Sequence, residues 1–70
     1  MIDVLTNMAG NVWKIVVNKG DKVSSGQEVI ILESMKMEIP ITAKNDGEVA
    51  EVIVNEGDFV NDGDVLLKLE

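Results

Sequence analysis

The chain is built from short runs of apolar, mostly β-branched residues, separated by stretches rich in Gly, Asn and Asp. No segment has the 3.6-residue apolar period of a stable helix. β-Branched runs bounded by turn residues are typical of strands. The pattern predicts about eight short strands: Ile2–Leu5, Val12–Val17, one around Val23, Glu28–Leu32, Met37–Ala43, Val49–Val54, one around Val60 and Val65–Leu69.

The second half of the chain repeats the first at an offset of 37 residues. Residues 10–33 align with residues 47–70 without a gap, and ten of these 24 aligned pairs are identical. Such agreement over a short window indicates two copies of one structural unit. We therefore expect a fold with pseudo-two-fold symmetry.

Each copy carries the same turn, Asn-Lys-Gly-Asp in the first and Asn-Glu-Gly-Asp in the second. Gly20 and Gly57 are expected at positive φ, because glycine adopts that conformation without steric cost. A short extended piece follows each turn. Its valine, Val23 or Val60, is expected to fill the core.

Length and composition limit the fold to one small domain, which we assign to residues 1–70. A chain of this size has a core of marginal stability, and without Cys or His it can build neither a disulfide nor a zinc site. Stability must then come from well-paired strands in a closed or nearly closed sheet.

The net charge of −7 argues against binding to nucleic acid or to an anionic membrane, since both require a basic surface. The N-terminus lacks a signal-peptide pattern, and the longest apolar run, Val29–Leu32, is too short to span a membrane. With the absence of Cys, these features favour the cytoplasm. The acidic surface serves either solubility or partners with basic patches, and the sequence leaves both open.

The segment Glu33-Ser34-Met35-Lys36-Met37-Glu38 lies where two predicted strands must be joined by a hairpin. A hairpin tip usually carries Gly, Asn or Asp, because tight turns often need positive φ. Here a lysine stands between two methionines. A local rule broken without structural benefit marks an expected functional site.

The repeat also predicts where this hairpin lies. The chain ends before a second copy of Ser34–Met37 appears, so the symmetry places the hairpin at one pole and both termini at the other. Pro40 cannot donate a hydrogen bond to a neighbouring strand, so the strand after the hairpin is expected at a sheet edge.

The repeated pattern of glycines and apolar positions, closed by Glu-Ser-Met-Lys-Met, resembles the biotinyl/lipoyl attachment domain over nearly the whole chain. The resemblance is strongest to stand-alone bacterial attachment proteins and to biotin carboxyl carrier domains. It implies an all-β fold, a flattened eight-stranded barrel called a barrel-sandwich hybrid, with two pseudo-two-fold-related halves. It also implies covalent attachment of biotin to Lys36.

By this resemblance the partners are a biotin protein ligase, which modifies Lys36, and a biotin carboxylase and a carboxyltransferase, between which the attached arm carries a carboxyl group. Met35 and Met37 are assigned to recognition by these enzymes, and Glu33 and Ser34 to the hairpin that presents the lysine. The two methionines favour biotin over lipoate, because lipoyl sites typically have Asp or Val before the lysine and Ala after it.

Three departures qualify the resemblance. Met8-Ala9-Gly10 stands where many carboxylase carriers have Met-Pro-Gly, and Ser34 stands where many have Ala. No insertion corresponds to the protruding thumb of some acetyl-CoA carboxylase carriers. The alternatives are a lipoyl carrier with lipoate on Lys36 and an unmodified structural barrel.

An enzyme is the weakest interpretation. Glu33 and Glu38 could suggest a carboxylate pair for acid–base chemistry, but no His, nucleophile or metal cluster accompanies them. No glycine-rich loop leads into a helix, so nucleotide binding has no support. Trp13 is expected in or half-covering the core and Phe59 at a partly exposed position.

Overall fold

The computed structural model describes residues 1–70 and consists entirely of strands and turns, which confirms the all-β prediction. Its eight strands are β1 (Ile2–Leu5), β2 (Gly10–Ile15), β3 (Lys22–Val23), β4 (Glu28–Ser34), β5 (Met37–Thr42), β6 (Gly47–Val52), β7 (Phe59–Val60) and β8 (Val65–Leu69). No helix is long and apolar enough to cross a membrane.

The strands form two antiparallel four-stranded sheets, with orders β1-β8-β6-β3 and β5-β4-β2-β7. An offset of 37 residues converts β2 into β6 and β3 into β7 residue for residue, and so converts one sheet order into the other. The predicted pseudo-two-fold symmetry is therefore confirmed. Each sheet contains strands from both halves, which gives the flattened eight-stranded barrel.

Strands β2 and β6 begin and end two residues earlier than the sequence predicts. The glycine at the start of each strand, Gly10 or Gly47, lies so close to a neighbouring carbonyl that a Cβ would come within 3 Å of it. These glycines therefore belong to the paired region. Val17 lies beyond the end of β2, yet its side chain is buried in the core.

The core fills the space between the two sheets. Its 14 buried apolar residues come from both halves, and Val23 and Val60 are 4% and 2% exposed, as expected. The others are Val4, Val12, Val17, Val29, Ile30, Leu32, Ile41, Ala43, Val49, Leu66, Leu67 and Leu69.

Four tight turns share one construction. Gly20 and Gly57 have φ of 95° and 96°, as expected, and the glycines of two further turns, Gly26 and Gly63, have φ of 89° and 90°. In each turn the side chain of the fourth residue accepts a hydrogen bond from the amide of the first, as Asp21 Oδ2 does from Asn18 N at 2.8 Å. Positive φ at the third residue is what a type II turn requires.

Strand β2 runs between the two ends of the molecule. At its start, Gly10 lies beside Ser34 at the base of the β4–β5 hairpin. The turn after it lies at the other end, where Gly20 N donates to the Val49 carbonyl at 2.8 Å, and the strand of Val49 exchanges two hydrogen bonds with Glu70. The hairpin and the termini thus lie at opposite ends of a molecule of 31 × 19 × 18 Å.

Candidate functional site

The β4–β5 hairpin closes through the shortest common hairpin loop. Glu33 pairs with Glu38 and Ser34 with Met37, which leaves only Met35 and Lys36 in the turn. Their φ values are 52° and 64°, so both residues adopt the left-handed conformation of a type I′ turn. For residues with a side chain this conformation costs on the order of 1 kcal/mol each.

The tip of the hairpin projects into solvent. Met35 is 92% exposed and Met37 is 63% exposed, and Lys36 is exposed between them. Residues 33–38 take part in none of the side-chain hydrogen bonds of the molecule. The Lys36 amine therefore has no hydrogen-bond partner within the chain.

Two exposed carboxylates flank the base of the tip. Glu33 and Glu38 are directly opposite each other across β4 and β5, where like charges destabilise a strand pair. Neither belongs to a group of three or more His, Cys, Asp or Glu side chains that could hold a metal ion. They lie on one face of the hairpin, while Ser34, next to the turn, is half-buried.

Gly10 supports the base of the hairpin, which the sequence did not predict. Gly10 in β2 is buried against the base of the hairpin, and a Cβ there would lie 2.9 Å from the Glu33 carbonyl oxygen and 3.5 Å from Ser34 Cβ. The repeat offered a signal, because Gly10 aligns with Gly47, which lies in the same way against Glu70.

The surface clefts lie elsewhere. The largest, an open cleft of about 560 Å³, is lined by residues around the two Asn-x-Gly-Asp turns, including Ile15, Val17, Val52 and Val54. None of the clefts includes a residue of the segment 33–38. The hairpin thus presents its lysine on a protrusion, so any pocket around that lysine must be supplied by another molecule.

Comparison with known proteins identifies the family. The profile of a family described as "Biotin-requiring enzyme" matches residues 2–69. The biotin/lipoyl attachment protein of Bacillus subtilis (strain 168) is 64% identical over 66 residues, which cover 94% of this chain and 90% of that protein. The chain therefore belongs to the biotin/lipoyl attachment family.

Two further similarities agree with this assignment. The biotinylated protein TB7.3 of Mycobacterium tuberculosis (strain ATCC 25618 / H37Rv) is 49% identical over 41 residues, 59% of this chain and 58% of that protein. The crystal structure of the Kluyveromyces lactis urea carboxylase superposes with a TM-score of 0.91 at 34% identity, over 97% of this chain and 6% of that one. The fold is thus shared with a segment of a carboxylase.

Proposed function

We propose that this protein is a biotin carboxyl carrier whose Lys36 is the attachment site. The observation that carries the proposal is the geometry of the tip: an exposed lysine without partners, held at a strained two-residue turn between two exposed methionines. The names of the relatives support it, since one is a biotinylated protein and one structural neighbour is a carboxylase.

Lys36 reacts as a nucleophile at the carboxyl carbon of biotin, which the ligase supplies in activated form. Its ε-nitrogen forms the amide bond, the activating group leaves with the bonding electron pair, and the released proton passes to the ligase or to solvent. When attached, biotin carries a carboxyl group between a biotin carboxylase and a carboxyltransferase. The chain supplies the attachment and positions the arm, and it contributes no catalytic group.

The neighbouring residues have separate roles. Met35 and Met37 project from the tip with Lys36 and offer flexible apolar contacts to a partner pocket. Glu33 offers a charge to the same partner, and the half-buried Ser34 packs where β2 supports the hairpin. The acidic surface would be complementary to basic rims around partner active sites, in the cytoplasm where we place the protein.

Intact-mass measurement after incubation with a purified biotin protein ligase, biotin and MgATP tests the proposal. We expect one biotin adduct on the wild type and none on Lys36→Arg. Lys44→Arg is the matched control, because Lys44 is also exposed, and it should be modified fully. An adduct on Lys36→Arg, or an unmodified wild type, would contradict the attachment site.

Lipoate is the second candidate, because the name of the Bacillus subtilis relative covers both cofactors. Incubation with a lipoyl ligase in place of the biotin ligase separates the two. We expect little or no lipoyl adduct, since Met35 and Met37 differ from the residues typical of lipoyl sites. A preferred lipoyl adduct would indicate that lipoate, and not biotin, is the cofactor. The absence of an adduct with either ligase would favour an unmodified structural barrel.

A further inference from the structure

The outer face of the sheet that bears the hairpin carries an exposed apolar strip. Each of its four strands contributes one outward-facing apolar residue: exposed Pro40 from β5, half-buried Ile31 from β4, exposed Trp13 from β2 and exposed Phe59 from β7. Phe59 is 62% exposed and Trp13 is 47% exposed. Exposed aromatic residues that are grouped in this way mark interaction sites more often than exposed single residues do.

The pairing brings these four residues together. Ile31 is directly opposite Pro40 on one side and Lys14 on the other, and Trp13 is the extra residue of the β-bulge that precedes Lys14. Phe59 is opposite Asn11, two residues before Trp13. Diagonal neighbours of this kind are within reach of aromatic side chains. We call Pro40, Ile31, Trp13 and Phe59 the apolar strip.

The second sheet provides an internal comparison. The offset of 37 residues maps the strip onto Asp3, Lys68, Ala50 and Lys22, which lie on the outer face of the other sheet. Two lysines, one aspartate and one alanine occupy the positions where the strip has large apolar residues. The fold therefore does not require apolar side chains there, and stability alone does not account for the strip.

The strip lies close to Lys36. Ile31 is three residues from Ser34, the last residue of β4, which corresponds to about 10 Å along an extended strand. Phe59 lies in one row with Asn11, Glu33 and Glu38, and this row separates Ile31 and Pro40 from the tip on the same face. A protein that encloses the tip over a footprint of ordinary size, about 800 Å², would also cover the strip.

We propose that the apolar strip is the surface on which the biotin protein ligase docks when it modifies Lys36. This inference rests on the proposed function. The chain has six lysines, and the ligase must select Lys36 before any biotin is attached to it. Recognition therefore depends wholly on the protein surface around Lys36. The strip provides a rigid sheet surface for that selection, whereas the side chains of the tip are exposed and free.

Other occupants fit less well. The carboxylase and the carboxyltransferase meet the chain only after modification, when the attached biotin itself gives them a group to bind. A second copy of the chain would bring together two molecules of net charge −7, which repel each other. Glu33 and Glu38 border the strip, so a partner with an apolar centre and a basic rim on the side of the tip is complementary to it.

The test compares steady-state biotinylation of the wild type with that of Phe59→Lys/Ile31→Lys, using a purified bacterial biotin protein ligase, biotin and MgATP. The two substitutions copy Lys22 and Lys68 of the other sheet, so the fold tolerates lysine at equivalent positions. We expect KM for the carrier to rise about 10-fold or more, as for loss of interface hot spots, while kcat at saturating carrier stays within about twofold.

Asp3→Asn/Ala50→Lys is the control, since it makes the net charge more positive by the same two units on the other sheet. Its KM should match the wild type. Phe59→Gln/Ile31→Gln, which adds no charge, should raise KM as the lysine variant does, and urea unfolding should confirm that all variants are folded.

A KM for the folded lysine and glutamine variants within twofold of the wild type overturns the docking surface, as does an equal rise in the control. If the wild type then dimerises in sedimentation equilibrium and the variants do not, a second copy is the occupant. These outcomes leave the proposed function standing because Lys36 is still modified. A wild type that accepts no biotin overturns both.

Discussion

Lys36 occupies the second position of a turn that favours Asn-Gly, and Met35 occupies the first. Both residues have positive φ, although neither has a side chain that supports the left-handed conformation. The pairing of β4 and β5 up to Ser34 and Met37 holds them there. Because the loop has only two residues, the backbone of Lys36 lies next to the last paired residues of the sheet. This placement is consistent with attachment of an arm to Lys36.

Replacing Met35 with Asn should stabilise the protein by about 0.5–1 kcal/mol, because Asn tolerates positive φ. Met35 is 92% exposed, so the lost side chain contributes little burial. Urea unfolding measures the gain. Met35→Ala is the control, since alanine also removes the thioether but gains nothing from the left-handed conformation. Equal unfolding free energies for the two variants would contradict strain at this position.

At the scale of elements, the glycines at the start of β2 and β6 have equivalent positions but different surroundings. A Cβ on Gly10 would lie 2.9 Å from the carbonyl oxygen of Glu33, which is held between two neighbouring strands. A Cβ on Gly47 would lie 2.8 Å from the carbonyl oxygen of Glu70, which accepts a hydrogen bond from Glu48 N at 3.2 Å. Only the first neighbour belongs to the hairpin that carries Lys36.

Gly10→Ala and Gly47→Ala should each cost about 1–3 kcal/mol, the range for overpacking a tight site, because both new Cβ atoms meet a backbone carbonyl held by strand pairing. The free energies of urea unfolding of the two variants provide the measurement. The biotinylation rate of Gly10→Ala should also fall, because the hairpin base shifts, whereas that of Gly47→Ala should not. An equal fall in the biotinylation rate of both folded variants would argue against a specific role of Gly10 in supporting the hairpin.

Signals that act along the chain explain what the sequence predicted. The β-branched runs, the Asn-x-Gly-Asp turns and the 37-residue repeat are local or internal patterns, and they predicted eight strands and the positive φ of Gly20 and Gly57. The missing amide hydrogen of Pro40 predicted that its strand lies at a sheet edge. The hairpin around Lys36 followed from the break in those patterns.

Features that depend on contacts between strands could not be predicted from the sequence. The bulges at Trp13 and Ala50 arise when β2 pairs with β4 and β6 pairs with β8. The pairing of Gly10 at the start of β2 and the grouping of Trp13 with Phe59 depend on β7, which comes from the other half. Met35 and Lys36 show the same limit, because their own preferences disfavour the conformation that strand pairing imposes on them.

At the scale of the whole molecule, the two sheets cannot be divided between the two halves. β7 of the second half pairs with β2 of the first half, and β3 of the first half pairs with β6 of the second half. Each sheet therefore contains strands from both halves. Of the 14 core residues, nine precede residue 46 and five follow it. A half alone would leave one side of its core uncovered. We therefore expect folding to be a single cooperative event.

Cutting the chain in the loop between β5 and β6, after Asn45, provides a direct test. Fragments 1–45 and 46–70 should each lack a cooperative urea transition when alone, because neither can cover its buried apolar face. Mixed in equal amounts, they should recover native β-sheet circular dichroism, since every strand pair can then form. Biotinylation of Lys36 by the ligase should return with it, because the hairpin base requires β2 and the strip requires Phe59 of β7. Cooperative unfolding of fragment 1–45 alone would contradict a core that needs strands from both halves. Biotinylation of that fragment as fast as the whole chain would show that Phe59 is not needed for modification of Lys36.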